Sequence, residues 1–296
     1  MEVNKKNLTI CLMSYVLWGS LPAYWNLMIG MDPFFILCFR IIFALVCMAG
    51  LLVITRRMQV FVATLRDKAT MRYLIPTSIL ITVNWGIYIW AVNTGHVLDS
   101  SLGYYMNPLV SFLFGILIFR EKHTKLQLAA VALAFTGVLI SVIAYGSVPY
   151  ISISLTLTFA AYGVLKKKAH ADPVSGIAVE SLIITPFALI VALVFMTDSV
   201  RAVSFTDMLL LIGGGAASAI PLALYSRAVN DLPLIIVGFL QYISPSLQLV
   251  YALINGETLS TSRLVSFVFI GLGLIVFSVA LVRTSKAERA VDTQML

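Results

Sequence analysis

The feature that most constrains this chain is the length of its apolar runs. From Leu8 almost to the C-terminus, stretches of about twenty apolar residues follow one another with only short polar connectors between them. A helix of that length crosses the roughly 30 Å hydrocarbon core of a bilayer. In that medium every backbone N–H and C=O must be paired within the segment or around a closed barrel. The runs are continuous and do not alternate apolar with polar residues, so helices fit and a barrel does not. Composition agrees: 60% of the 296 residues are hydrophobic and only 11% charged, too few charges to cover a soluble domain of this size. The expected fold is an all-α integral membrane protein.

Ten spans are expected. They run Leu8–Ile29, Phe34–Thr55, Tyr73–Asn93, Ser100–Phe119 and Leu126–Ala144, then Tyr150–Leu165, Val174–Met196, Asp207–Ser226, Pro233–Ile254 and Arg263–Val282. The sixth is short because Lys166, Lys167 and Lys168 stop it. The first is longer than the apolar core of a signal peptide and no small-x-small cleavage site follows, so it is read as a retained span. Cys11, Cys38 and Cys47 all fall in apolar runs and are read as small buried or lipid-facing residues.

The net charge of +7 is a topology signal and not a nucleic-acid signal, because the cations sit in short loops. With the N-terminus cytoplasmic, the inner segments collect Lys5, Lys6, Arg56, Arg57, Arg66, Lys68, Arg72, Arg120, Lys122 and Lys125. They also hold Lys166 to Lys168, Arg227, Arg283, Lys286 and Arg289, leaving Arg201 and Arg263 outside and Arg40 within the second span. Both termini are therefore expected in the cytoplasm and the protein in the plasma membrane as a multi-pass chain. The longest inner loop, Arg56 to Arg72, carries Phe61 and Leu65 at i,i+4; it is read either as a short amphipathic helix on the anionic leaflet or as an ordinary basic connector.

The two halves repeat. Ala91-Val92-Asn93 is followed by Pro108, and Ala228-Val229-Asn230 by Pro245, at the same spacing. Glu121 precedes Gly137 as Glu257 precedes Gly273. A unit of five helices enters the membrane from opposite faces in its two copies, the inverted repeat of secondary transporters, whose substrate sites lie near the midplane between the halves. The chain divides into a first repeat over 1–144, an outer linker over 145–149, a second repeat over 150–282 and a cytoplasmic polar tail over 283–296.

These motifs resemble the twin EamA repeats of the drug/metabolite transporter superfamily. Further strings resemble its RarD subgroup: Trp18-Gly19 with Pro22-Ala23-Tyr24, Asn84-Trp85, Trp90 to Asn93, Ser101 to Tyr104 with Asn107-Pro108-Leu109, and Gln241-Tyr242-Ile243. The resemblance spans nearly the whole chain. One departure is Arg120-Glu121 in the first half, where the second has Gly256-Glu257. It implies a ten-helix EamA fold and the import or export of small solutes.

Polar groups inside spans are costly and mark pathways. Arg40 and Glu180 are the two ionisable residues well inside spans, at equivalent places in the second and seventh. Each lies about 9 Å along its helix but counted from opposite faces, a depth difference of roughly 12 Å that argues against a direct ion pair. Either Arg40 receives an anionic or polar solute and Glu180 a cationic group or a proton, or both snorkel to the nearer surface. Asn84, Trp85, Tyr88, Asn93, Tyr104, Asn107, Tyr162, Gln241 and Tyr242 complete the candidate pathway, amides giving donors and acceptors and rings giving apolar walls; the alternative is interhelical bonding and packing. Among six intramembrane prolines, Pro108 and Pro245 are repeat-related and are read as gate hinges or static kinks. Gly213 to Gly215, Gly271 and Gly273 are read as close-contact positions.

The chain has no phosphate loop, no HExxH, no GxSxG and no paired-aspartate motif, and His96, His123 and His170 form no ligand pair. It is not expected to be an enzyme or to carry a cofactor or metal. The leading reading is a secondary transporter of a small organic solute, drug or metabolite by alternating access, with proton coupling and passive exchange both open. A membrane-embedded lipid or prenyl enzyme and a lipid scramblase are the alternatives. Expected partners are the small-molecule substrate and the bilayer, with protons and a second copy in a homodimer as open options, and no nucleic acid.

Overall fold

In the computed structural model, residues 5–28, 30–93, 97–146, 148–254 and 261–294 are described, and among them no strand occurs. The helices are α1 (Lys5–Trp25), α2 (Pro33–Ile54), α3 (Met58–Arg66), α4 (Lys68–Asn93), α5 (Val97–Phe119), α6 (Lys125–Tyr145) and α7 (Tyr150–Ala169). They continue as α8 (Pro173–Ile190), α9 (Thr197–Ala202), α10 (Phe205–Asp231), α11 (Leu234–Leu240), α12 (Ile243–Ile254) and α13 (Thr261–Gln294). Among the described residues, eight segments are long and apolar enough to cross a membrane, one of them running from Leu234 to Tyr251 across the α11–α12 break. The polar start of α1 and the lysines ending α7 keep those two helices below that standard, although both pack within the bundle.

Local chemistry starts these helices. Asp32 accepts from the N–H of Phe34 (2.8 Å) and Phe35 (3.0 Å) with Pro33 in the first turn. Asp172 accepts from Ser175 N–H (3.0 Å) with Pro173 in the first turn, so the second helix of each half begins on an Asp-Pro cap. Thr124 and Ser204 form capping boxes at α6 and α10. Between α3 and α4, hydrogen bonds from the Thr70 hydroxyl and the Ala69 N–H hold the Asp67 carboxyl below its ordinary pKa.

Several boundaries differ from the sequence expectation. The first span ends in a tight turn over Asn26–Met28, and the seventh passes into a π-helical turn over Val191–Phe195. The sixth does not stop at Leu165, because Lys166 is turned into the protein and α7 runs on to Ala169. The segment from Met58 is a helix, but Phe61 and Leu65 pack against the cluster of Leu74, Ala169, Ala171 and Val179, not on a lipid surface. The stretch read as a polar tail continues α13 as helix to Gln294.

Packing follows an exchanged, two-fold pattern. α7 lies against α4 and α5, and α1 lies against α10 and α12, so the first helix of each half sits among helices of the other. α2 pairs with α8, α5 with α11 and α6 with α13. The α6–α13 crossing carries the symmetry in detail. A Cβ on Gly137 would lie 2.7 Å from Ser266 O and 3.0 Å from Ile270, and one on Gly273 would lie 2.9 Å from Ala130 O and 3.3 Å from Ala134 N. Shifting Ser266 and Ile270 back by the 136 residues that separate the two glycines gives Ala130 and Ala134. The Ser266 hydroxyl also donates to Gly137 O at 2.7 Å, a polar tie between closely approaching helices. Gly215 brings α10 onto the backbone of α2 at Phe43, whereas Gly271 faces open space and makes no such contact. Outward faces stay apolar, as at Val53, Phe187, Leu193 and Ile275, which suits contact with lipid tails.

Candidate functional site

Arg40 on α2 is half-buried in a cage of side chains. Its guanidinium carbon lies 4.6 Å from the Trp25 ring centroid and 4.7 Å from that of Trp85. This sandwich on two indole faces favours a planar cation. Its Nε donates to Ser218 Oγ at 2.9 Å, and that hydroxyl donates in turn to Gly214 O at 2.8 Å, which fixes Ser218 as the acceptor. No carboxylate pairs with Arg40 among the described residues. Tyr88 and Tyr104 meet edge to face with centroids 5.8 Å apart and lie within electrostatic reach of the guanidinium.

Glu180 on α8 occupies a second, drier site, 3% exposed. Lys166, 1% exposed, donates to Oε1 at 2.8 Å and Thr77 donates to the same oxygen at 2.5 Å. Tyr162 donates to Oε2 at 3.3 Å, and its ring stacks on Tyr225 with centroids 6.1 Å apart. Gly176, one turn before Glu180, makes room for the ammonium: a Cβ there would lie 3.2 Å from Lys166 Nζ. The carboxylate thus has a cation and two hydroxyls, the set a buried charge requires.

Between the two sites runs a small cavity lined by Ile41, Ile81, Thr82, Trp85, Ile177, Glu180, Ser181, Ile184 and Leu222. Trp85 touches Arg40 on one side and faces this cavity with Glu180 on the other. Arg40 is caged by indoles and Glu180 is ion-paired within the bundle.

The remaining candidates divide. Asn84 donates to Leu155 O (2.9 Å) and Thr158 Oγ1 (2.8 Å), so it ties α4 to α7. Asn107 is buried beside Ser111, whose hydroxyl reaches it only at 3.5 Å. Gln241 and Tyr242 form the break between α11 and α12, both buried, with Tyr242 packed edge to face on Phe239. Pro108 lies within an unbroken α5, while Pro245 follows the break by three residues. The Asn93 side chain, His96 and Glu257 lie outside what is described.

Four contributors escaped the sequence reading: Lys166, Thr77, Trp25 and Ser218. Lys166 was hidden by its neighbours, since a run of three lysines reads as a connector; its signal was the helical phase that puts it on the face of Tyr162. A further polar cluster gives Glu121 a role. Its carboxylate accepts from the N–H of Leu234 (2.7 Å) and Ile235 (2.9 Å), capping α11, and pairs with Lys167 at 3.1 Å. Lys167 also donates to Leu232 O at 2.5 Å. Arg120 adopts a left-handed φ of 52°, a conformation that favours glycine.

Comparison with known proteins places this architecture. Residues 5–143 match the EamA-like transporter family. The "uncharacterized transporter YojE" of Bacillus subtilis (strain 168) is 38% identical over 97% of this chain and 98% of its own. "Protein RarD" of Escherichia coli (strain K12) is 32% identical over 95% of this chain and 97% of its own. A solved crystal structure shares the fold with a TM-score of 0.73 at 14% identity, covering 93% of this chain and 97% of the other. A helical, membrane-spanning chain with this repeat symmetry and these relatives belongs to the RarD-type EamA transporters.

Proposed function

We propose that this membrane transporter is a secondary carrier of a small organic solute bearing an anionic or strongly hydrogen-bond-accepting group, moved by alternating access between its two inverted halves. The observation that carries the reading is the charge balance of the interior. Lys166 cancels Glu180, which leaves Arg40 as the intramembrane cation with no paired carboxylate among the described residues. A guanidinium presents five N–H donors in a rigid fork, and Ser218 takes one of them at Nε. Trp25, Trp85, Tyr88 and Tyr104 supply flat apolar walls around the rest, the composition of a small-molecule site. The basic loops face the cytoplasm of the plasma membrane, with both termini on that side.

Paired uptake and efflux screening of metabolite pools in a deletion strain and its complemented partner identifies the solute. Reconstituted Arg40→Gln protein then transports it about 10- to 100-fold more slowly, the effect of losing a charge-assisted hydrogen bond to an anion. Arg40→Lys retains part of the rate. An Arg40→Gln rate equal to wild type overturns the reading.

Proton coupling belongs at Glu180, which faces the cavity while held by Lys166. Lys166 lies on α7 and Glu180 on α8, so movement of α7 against α8 parts the pair and changes what the carboxylate faces. In proteoliposomes, a solute-driven pH change that persists unaltered in Glu180→Gln would remove the proton from this site.

A further inference from the structure

The two halves are not in the same condition at the middle of the bundle. Tyr105 on α5 donates through its hydroxyl to Pro245 O on α12 at 3.4 Å. Tyr242 stands 137 residues after Tyr105, and Pro245 stands 137 after Pro108. The repeat therefore pairs Tyr242 with the carbonyl of Pro108 as it pairs Tyr105 with that of Pro245. Yet the Tyr242 hydroxyl is buried with no hydrogen-bond partner, in a side chain that is 0% exposed. A buried hydroxyl left unpaired is destabilising, so it marks either strain or a contact made in another state.

Geometry selects the second. Tyr242 follows the last turn of α11, which contains Gly238 and Phe239, and its ring lies back on that turn, meeting Phe239 edge to face at 5.5 Å. Gly238 is where α11 is pressed onto α5. A Cβ there would lie 2.5 Å from Ser111 Cβ and 3.3 Å from Pro108 O. The carbonyl named by symmetry lies against the same turn over which Tyr242 leans, and a carbonyl oxygen has a second lone pair beyond its helix bond. The polypeptide is also breakable there, since Gln241 and Tyr242 interrupt the ninth span.

We propose that Tyr105 and Tyr242 are reciprocal positioning residues. In this state Tyr105 holds Pro245 O and Tyr242 holds nothing; in the inverted state Tyr242 holds Pro108 O and Tyr105 lets go. The inference rests on the alternating-access reading above and names the hydrogen bond that each state makes and the other lacks. The two repeat-related prolines then act through the carbonyls they present, not through kinks alone.

The test uses nitroxide labels on Lys122→Cys and Lys168→Cys, two exposed loop-end positions in opposite halves, with Cys11, Cys38 and Cys47 replaced by alanine. Pulsed EPR distances are recorded in lipid nanodiscs for wild type, Tyr105→Phe, Tyr242→Phe and the double variant. Tyr105→Phe is expected to lower the ratio of this state to the other about fivefold and Tyr242→Phe to raise it about fivefold, the effect of one net hydrogen bond. The double variant returns near the wild-type ratio, which a merely structural role for either ring does not give. Shifts in the same direction, or two populations unmoved by either variant, overturn the switch and leave alternating access standing. A single population in every protein overturns alternating access and the switch together. Hydrogen exchange of unlabelled wild type and variants, compared over α5 and over residues 234–254, makes the same comparison should the labelled chain fail to fold: opposite changes support the switch and parallel or absent changes overturn it.

Discussion

Lys166 reaches Glu180 inside the bundle while Lys167, the next residue, leaves the helix on another face for Glu121. One step along a helix turns a side chain by about 100°, so adjacent lysines of one run acquire different tasks. Removing one member of a buried pair leaves the other charge uncompensated, at about 3–5 kcal/mol. Lys166→Met is therefore expected to lower the unfolding temperature in detergent sharply. The double variant Lys166→Met, Glu180→Leu should recover most of that loss, which a double-mutant cycle reads directly. Glu180 was legible in the sequence because an acid within an apolar run is rare. Its lysine was not, because hydropathy reads a terminal cluster of lysines as the end of a span. Asn84 was legible as a mid-span amide, but whether an amide lines a path or ties two helices depends on what faces it; here Leu155 O and Thr158 face it.

At the scale of helices, close approach decides. Gly215 lets α10 contact the α2 backbone: a Cβ there would lie 2.4 Å from Phe43 Cβ and 2.5 Å from Phe43 C. Gly215→Val forces apart the helix that carries Arg40 and the one that carries Ser218, and the expected result is lost transport with lowered thermal stability, measured in the same detergent scan. Gly271→Ala, at an open site, should change neither. The run of glycines signalled close contact without saying which would bear it. The end of α5 offers the opposite change. Arg120 holds φ 52°, so Arg120→Gly should stabilise by about 0.5–1 kcal/mol, seen as a higher unfolding temperature. The breaks at Asn26, Val191 and Gln241 were not legible, because apolar periodicity continues across them while the backbone does not.

For the whole molecule, the all-helical, membrane-spanning character could be read from apolar length, and the matched close contacts of Gly137 and Gly273 from their shared spacing behind Glu121 and Glu257. The exchange of first helices could not, since no local pattern records which distant helix a lipid-soluble face meets. That exchange bears on how the protein is made. α1 is synthesised before the other described helices, and the helices it packs against are α10 and α12, far along the chain. It has to wait in the membrane, with Tyr15 and Cys11 unburied, until most of the polypeptide has been synthesised. Tyr15 then finds the carbonyl of Val237, 222 residues downstream, as its hydrogen-bond acceptor. A chain severed between α6 and α7 would leave two fragments, each missing the cradle for its own first helix, and they would mature only when produced together in one cell.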